Sequence, residues 1–422
     1  MDNIVYLSII AINIIIYMPT IFYKYVCDDL VVQTKQGPRP KKLLTTILLN
    51  IRGSRHDDSV LAHIITLISH TICCILIYIA FGSSTVSFLT AVLFAVNPIN
   101  SECSIWLSGR HYIFNAILVL IMFIIPYSAI AILPFLIFMY ITSIRNKLNS
   151  PDLTCEEKTL RPRKLILLFK TYGYYFWSCF FPVKIGFYHN AVTKIGITKN
   201  YNEQVYNLDK HFYLGVLAVY LVITNMIFNW NPAIRGLVWF SICILPFCNL
   251  FTISQPIGFR YSYYANIGLM YFLAMNIINY PWAIGVFLGA YIMKLWTYMP
   301  AYKDDFWQAE YNIVERPEVA RNWENRGRKR FKAGEYKGAL HDYCEAYEKC
   351  PHDCKVNYNV ASMFMVQGQI DDAEIHLNQA EDNIYQNANG TTQRAMIKEM
   401  REQIAKARKT GQVELRKVVV MK

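Results

Sequence analysis

Two acids, Asp28 and Asp29, stand side by side in "YVCDDLVV", directly after the first apolar run of the chain. A carboxylate so placed can take the proton from an attacking hydroxyl. Two arginines follow at the ends of later apolar runs, Arg110 in "WLSGRHY" and Arg260 in "GFRYSYY". A guanidinium fork neutralises and orients a phosphate. His63 and His70, seven apart in "HIITLISH", share one helix face, and Glu102 follows the break at Pro98. Arg39 precedes Pro40 and a short amphipathic stretch that suits a membrane interface. Ionisable groups at membrane depth are costly and turn toward a cavity or a partner. Each of these residues also has a structural account. The aspartates can cap a following helix, the histidines can bond between helices, Arg110 can snorkel, and Arg260 with Tyr261 and Tyr263 can form an interfacial belt. As a set, a surface carboxylate with arginines at the ends of other spans meets the needs of transfer from a lipid-phosphate donor.

Such residues need a scaffold at membrane depth, and the composition supplies one. Hydrophobic residues make up 54% of the chain and charged residues only 17%, below the roughly 25% usual in soluble domains. The mean hydropathy is +0.22. Apolar runs occupy about 3–22, 60–80, 85–99, 112–144, 165–182, 211–229, 235–252 and 262–299, and a crossing takes roughly 17–25 residues. They predict about nine or ten crossings of an integral, multi-pass membrane protein. The first run has neither a basic leader nor a small-residue cleavage site, so it reads as a retained span. The formal charge of +12 fits basic loops facing anionic headgroups. No basic face with aromatic platforms points to nucleic acid. The 11 cysteines form no CxxC pair, and "CPHDC" around His352 fits no zinc pattern.

The pattern changes near Tyr302, dividing the chain into 1–301 and 302–422. In the second part Gly334, Ala339, Tyr343 and Ala346 recur 34 residues later as Gly368, Ala373, Leu377 and Ala380. That period, with Trp323 and Gly327 early in the unit, is the tetratricopeptide pattern of paired helices. Small residues let the helices approach and the bulky one fills the gap. Two repeats are expected at about 320–353 and 354–387, with a charged capping helix at about 392–409. The fold class is therefore all-α: a polytopic membrane helical domain followed by a short tetratricopeptide-repeat domain.

At these motifs the chain resembles the transmembrane and tetratricopeptide-repeat O-mannosyltransferases and their bacterial and viral relatives, which have the C-type multispanning glycosyltransferase architecture. The likeness runs through most of the chain. The family's aromatic-rich Asp-Asp motif is matched by "YKYVCDDLVV", and Arg39-Pro40 partly matches the next segment. A His-x2-Asn-x3-His motif is matched by His63 and His70, with Thr66 in place of the Asn. The most specific block reads "LFAVNPINSECSIWLSGR" here: Glu102, Trp106, Gly109 and Arg110 hold, while Asn97 and Asn100 replace two histidines. The family's Glu-Arg-Tyr-x-Tyr segment keeps Arg260, Tyr261 and Tyr263 and has Phe259 in place of the acid. Asparagine hydrogen-bonds but does not titrate near neutrality, so a proton or metal role for those histidines is absent.

The resemblance implies transfer of one sugar, mannose in the family, from a polyprenyl-phosphate donor to a hydroxyl of a protein or glycan, with inversion. Asp28 or Asp29 would be the base, and Arg110 and Arg260 would contact the donor phosphate. Arg39, His63, His70, Glu102, Tyr261 and Tyr263 would support them. No glycine-rich phosphate loop is present, so no nucleotide-sugar site is expected. No cofactor is required, and a divalent metal would need a substrate phosphate to complete its ligands. The resemblance also implies a bacterial inner membrane or endoplasmic reticulum location, with catalytic loop and repeats on the exoplasmic side and the repeats docking an acceptor. Two alternatives stand beside it. One is a lipid-linked polysaccharide ligase or polymerase; the other is a non-catalytic membrane scaffold, for which Asn97 and Asn100 argue.

Overall fold

A computed structural model describes residues 2–26, 59–128, 164–186, 208–228, 231–248, 257–384, 388–413 and 418–421. Among the described residues the regular structure is entirely helical. The apolar part contains α1 (Asp2–Tyr17), α2 (Ser59–Ala80), α3 (Thr85–Val96), the single turn α4 (Ser101–Ser104) and α5 (Arg110–Ile124). It continues with α6 (Lys164–Phe180), α7 (Lys210–Phe228), α8 (Ile234–Ile244), α9 (Tyr263–Ile277) and α10 (Pro281–Tyr298). The polar part holds α11 (Asp305–Glu315), α12 (Ala320–Lys332), α13 (Tyr336–Lys349), α14 (Cys354–Val366), α15 (Ile370–Asp382) and α16 (Ala388–Thr410).

Four helical segments among the described residues are long and apolar enough to cross a membrane: Asp2–Phe22, Ser59–Ala80, Leu107–Ile124 and Lys210–Phe228. Thr85–Val96 with Pro98–Ser104 forms a fifth if its 55° bend is one broken span. This is fewer than the nine or ten expected from the apolar runs. The run over 262–299, read as two crossings, divides into α9 and α10 before Pro281, but α9, at 15 residues, rises only about 22 Å against a core of about 30 Å. Parts of the runs beyond 128 and 248 lie outside the described residues. Ile4, Leu7, Ile15, Tyr220, Ile223 and Val286 point outward, as an apolar solvent such as lipid would favour.

Local sequence sets the bends. Gly82 (φ 90°) and Ser83 (φ 49°) turn the chain between α2 and α3, and Ser84 opens α3 through a reciprocal cap with Ser87. Pro98 ends α3 by holding Asn97 extended. Without a large apolar-burial force in lipid, close backbone contact joins the helices. Gly173 of α6 meets Gly215 of α7, and Gly236 of α8 meets Gly268 of α9; a Cβ at any of these would strike facing backbone.

The polar helices come in pairs. α12, α14 and α16 each begin 34 residues after the one before. Gly334 (φ 82°) and Gly368 (φ 76°) close the turns inside the first two pairs. Gly327 leaves room for the Tyr343 ring, and Ala339, Ala346, Ala373 and Ala380 are fully buried. The last helix begins and ends slightly beyond the 392–409 expected for it. Asp342, wholly buried, accepts from Arg326 (2.7 and 3.0 Å) and from Arg330 (3.0 Å). α11 ties the two parts together. Glu315 accepts from Lys294 (2.6 Å) and the Ile185 amide (3.1 Å), and Arg316 donates to the Tyr174 hydroxyl and to the Lys184 carbonyl (3.2 Å).

Candidate functional site

One end of the apolar helices gathers most of the chemically interesting residues. After α1, residues Tyr23–Val26 run along this end. The Lys24 amide donates to the Lys303 carbonyl (3.0 Å), and the Val26 carbonyl accepts from the Trp106 indole (3.4 Å). Residues that follow α10 therefore return to the end where α1 finishes. Tyr302 is buried there, with its hydroxyl 3.2 Å from that of Ser101.

Beside Trp106 lies a largely buried ion pair. Glu102, on the one-turn helix after the Pro98 break, forms an ion pair with the Arg260 guanidinium and also accepts from the Arg260 amide (3.0 Å). The Arg260 side chain is 12% exposed and that of Glu102 4%. Arg260 lies 4.7 Å from the centre of the Tyr261 ring and 5.6 Å from that of Trp106, and it donates to the Tyr261 hydroxyl (3.2 Å). Burial of such a pair stands only because hydrogen bonds accompany the charges. Glu102 is thus the direct partner of Arg260, a closer role than general support.

Arg110 sits apart, at the first turn of α5 and only 3% exposed. It donates to the Thr66 hydroxyl (2.7 Å) and to the Ala62 carbonyl (2.6 Å), fastening α5 to α2. Gly109 makes this approach feasible, since a side chain there would strike the Glu102 backbone. Arg110 therefore does not snorkel: its guanidinium points into the helix packing. His63, one turn before Thr66, is buried near Arg110 and the backbone of Tyr23 and Lys24.

His70 shares the His63 face but lies about 10 Å further along α2. Its Nδ1 pairs with the Tyr263 hydroxyl, in an aromatic group with Tyr17 and Phe94. These two residues belong to the core, not to the Arg260 cluster. Asn97 and Asn100 are wholly buried as well. Asn97 donates to the Cys179 carbonyl (2.9 Å) and accepts from the Ile99 amide (3.0 Å). Asn100 donates to the Phe94 carbonyl (2.7 Å) and accepts from Asn266 (3.2 Å). Both asparagines hold helices together.

Asp28, Asp29 and Arg39 lie outside the described residues. Among the described residues no group of three or more His, Cys, Asp or Glu side chains is arranged to hold a metal. Sequence reading missed Thr66 as the acceptor for Arg110, and it missed Ser101, Tyr302 and Asn266. Only Thr66 carried a signal, being one turn from His63 on the same face. The chain matches no protein-family model, no curated protein and no solved structure.

Proposed function

We propose that the chain is an integral-membrane glycosyltransferase that moves a sugar from a polyprenyl-phosphate donor to an acceptor hydroxyl. The acceptor oxygen attacks the anomeric carbon from the face opposite the phosphate. The bond from that carbon to the phosphate oxygen breaks, polyprenyl phosphate leaves with the electron pair, and configuration inverts. Asp28 or Asp29 takes the acceptor's proton. Arg260 carries the charge that faces the departing phosphate, with Glu102, Trp106 and Tyr261 fixing its plane. Arg110 acts as a positioning residue through α2 and α5. The C-type architecture and the tetratricopeptide reading of α12–α16 belong to the same proposal, in which the helix pairs dock the acceptor.

The observation that carries this reading is the meeting of Val26 with Trp106, beside the Glu102–Arg260 pair. Val26 precedes the Asp28–Asp29 pair by two residues of sequence. It is further supported by the return of Lys303 to Lys24, which brings the start of the polar helices to the same end of the molecule. The test is binding of a polyprenyl phosphate by the chain in lipid nanodiscs. Arg260→Lys keeps the charge and loses the fork, so binding should weaken about tenfold, the step of a lost charge-assisted bond. Binding that is absent from the folded wild-type chain, or unmoved by Arg260→Lys and Arg260→Gln, would favour the scaffold alternative.

A further inference from the structure

The last described residues, Val418–Met421, form no helix yet are held firmly against α14. Asn359, wholly buried, clasps the backbone of Met421 from both sides. Its Oδ1 accepts from the Met421 amide (2.7 Å) and its Nδ2 donates to the Met421 carbonyl (3.4 Å). Ser362, one turn later and also wholly buried, donates to the Val419 carbonyl (2.8 Å), sharing its hydroxyl with the Tyr358 carbonyl (2.9 Å). Val418 and Met421 are buried among Tyr358, Ala361, Leu377 and Ile397, while Val419 is 42% exposed. Val420 packs on the other side, against the group containing Tyr343 and Met363.

Two features set this contact apart from ordinary core packing. The polar bonds run from side chains of α14 to the main chain of the segment, so they read its backbone and not its side chains. The apolar contacts ask only for apolar residues at the positions of Val418 and Met421. Backbone clasps combined with alternate side-chain pockets are how a protein binds an extended peptide in trans. Without such a strand the buried amide of Asn359 would lose both of its partners, at a cost of about 1–3 kcal/mol per group, while Ser362 would keep only the Tyr358 carbonyl.

We infer that α14, with α15 and α16 behind it, forms a groove for an extended apolar polypeptide segment, and that Val418–Met421 occupies this groove in cis as a displaceable stand-in. The partner is a protein segment in extended conformation with apolar residues at the first and fourth positions. This inference does not depend on the glycosyl-transfer reading. A tethered occupant acts at an effective concentration near millimolar, so a free competitor meets a mostly filled groove until the stand-in is released.

The probe is a labelled synthetic peptide, KVVVMK, titrated into the full-length chain in nanodiscs and followed by fluorescence anisotropy. A chain carrying Val418→Asp and Met421→Asp, which expels the stand-in, should bind the peptide at least about tenfold more tightly than the unaltered chain. Adding Asn359→Ala to that chain should abolish the gain. Hydrogen exchange supplies the second arm. In the unaltered chain the Met421 amide should exchange faster than the interior amides of α14, and Asn359→Ala should speed it further. The inference is overturned if the released chain binds no peptide while the α14 amides keep their protection. It is equally overturned if releasing the segment strips α14 of protection, or if Met421 exchanges only when α14 does; the segment would then be an integral part of the fold.

Discussion

Replacing Glu102 with glutamine removes one charge from the pair on which the candidate site is built. Both side chains are nearly withdrawn from solvent, at 4% for Glu102 and 12% for Arg260. Breaking a buried pair by removing one partner costs about 3–5 kcal/mol. Part of that loss is offset here. Glutamine keeps an oxygen for the Arg260 amide, now 3.0 Å from the carboxylate, and the Tyr261 and Trp106 rings still face the guanidinium. The ring contacts are the same in both proteins and cancel from the difference; with a neutral hydrogen bond of about 1 kcal/mol kept by the glutamine oxygen, a net loss of about 2–4 kcal/mol is expected for Glu102→Gln. The assay is equilibrium unfolding in mixed micelles of the wild type, Glu102→Gln, Arg260→Gln and the double variant. The double variant should be less destabilised than the two single losses combined, with a coupling of at least about 1 kcal/mol. Additive losses would mean that the pair is not formed, and the description of the site would fail with it.

Other elements make equally specific predictions. Leucine at Gly268 would meet the Gly236 carbonyl and the Phe240 amide across α8, and thermal melting should show a loss of about 1–3 kcal/mol or more, with Gly285→Leu, at an open position, close to neutral. Asp342→Ala removes the wholly buried carboxylate between Arg326 and Arg330 and leaves them Glu310 alone, so it should cost about 2–4 kcal/mol in chemical unfolding of the polar helices. Burial against Phe364 and Tyr347 holds the His376 imidazole below its usual range, with Asp372 pulling the other way. The unfolded chain therefore binds the proton first, so stability should fall as the pH drops through about 6.5, and His376→Gln should flatten that slope.

Where sequence reading succeeded, it worked from the length of apolar runs and from periodicity. The run over 60–80 appears as Ser59–Ala80 and the run over 211–229 as Lys210–Phe228, because uniform apolar character specifies a buried or lipid-facing helix by itself. The 34-residue recurrence of Gly334 and Gly368 marks the turns seen in the helix pairs, since each glycine occupies a positive φ that other residues avoid. Pairings across the bundle were not legible. Glu102 meets Arg260 across 158 residues and Ser101 meets Tyr302 across 201, and no spacing rule reaches so far. The same limit left Asn97 and Asn100 looking like altered site residues, when their amides answer carbonyls and amides inside the helix packing. The sequence motifs do not show that His70 and Tyr263 meet each other, as they do in the aromatic core. Asn359 and Ser362 gave no signal either, because their partner is the main chain of a distant segment.

Sugar transfer from a lipid phosphate at this end of the bundle is our proposal. Its most direct test incubates the purified chain with a radiolabelled polyprenyl-phosphate sugar and a hydroxyl-bearing acceptor peptide, and counts label on the acceptor. The wild type should transfer, and Asp28→Asn combined with Asp29→Asn should lower the rate by about 10²–10⁴, the usual contribution of a general base. Label that never leaves the lipid in the folded wild type would rule out glycosyl transfer, and transfer that survives the double substitution undiminished would rule out the aspartates as its base.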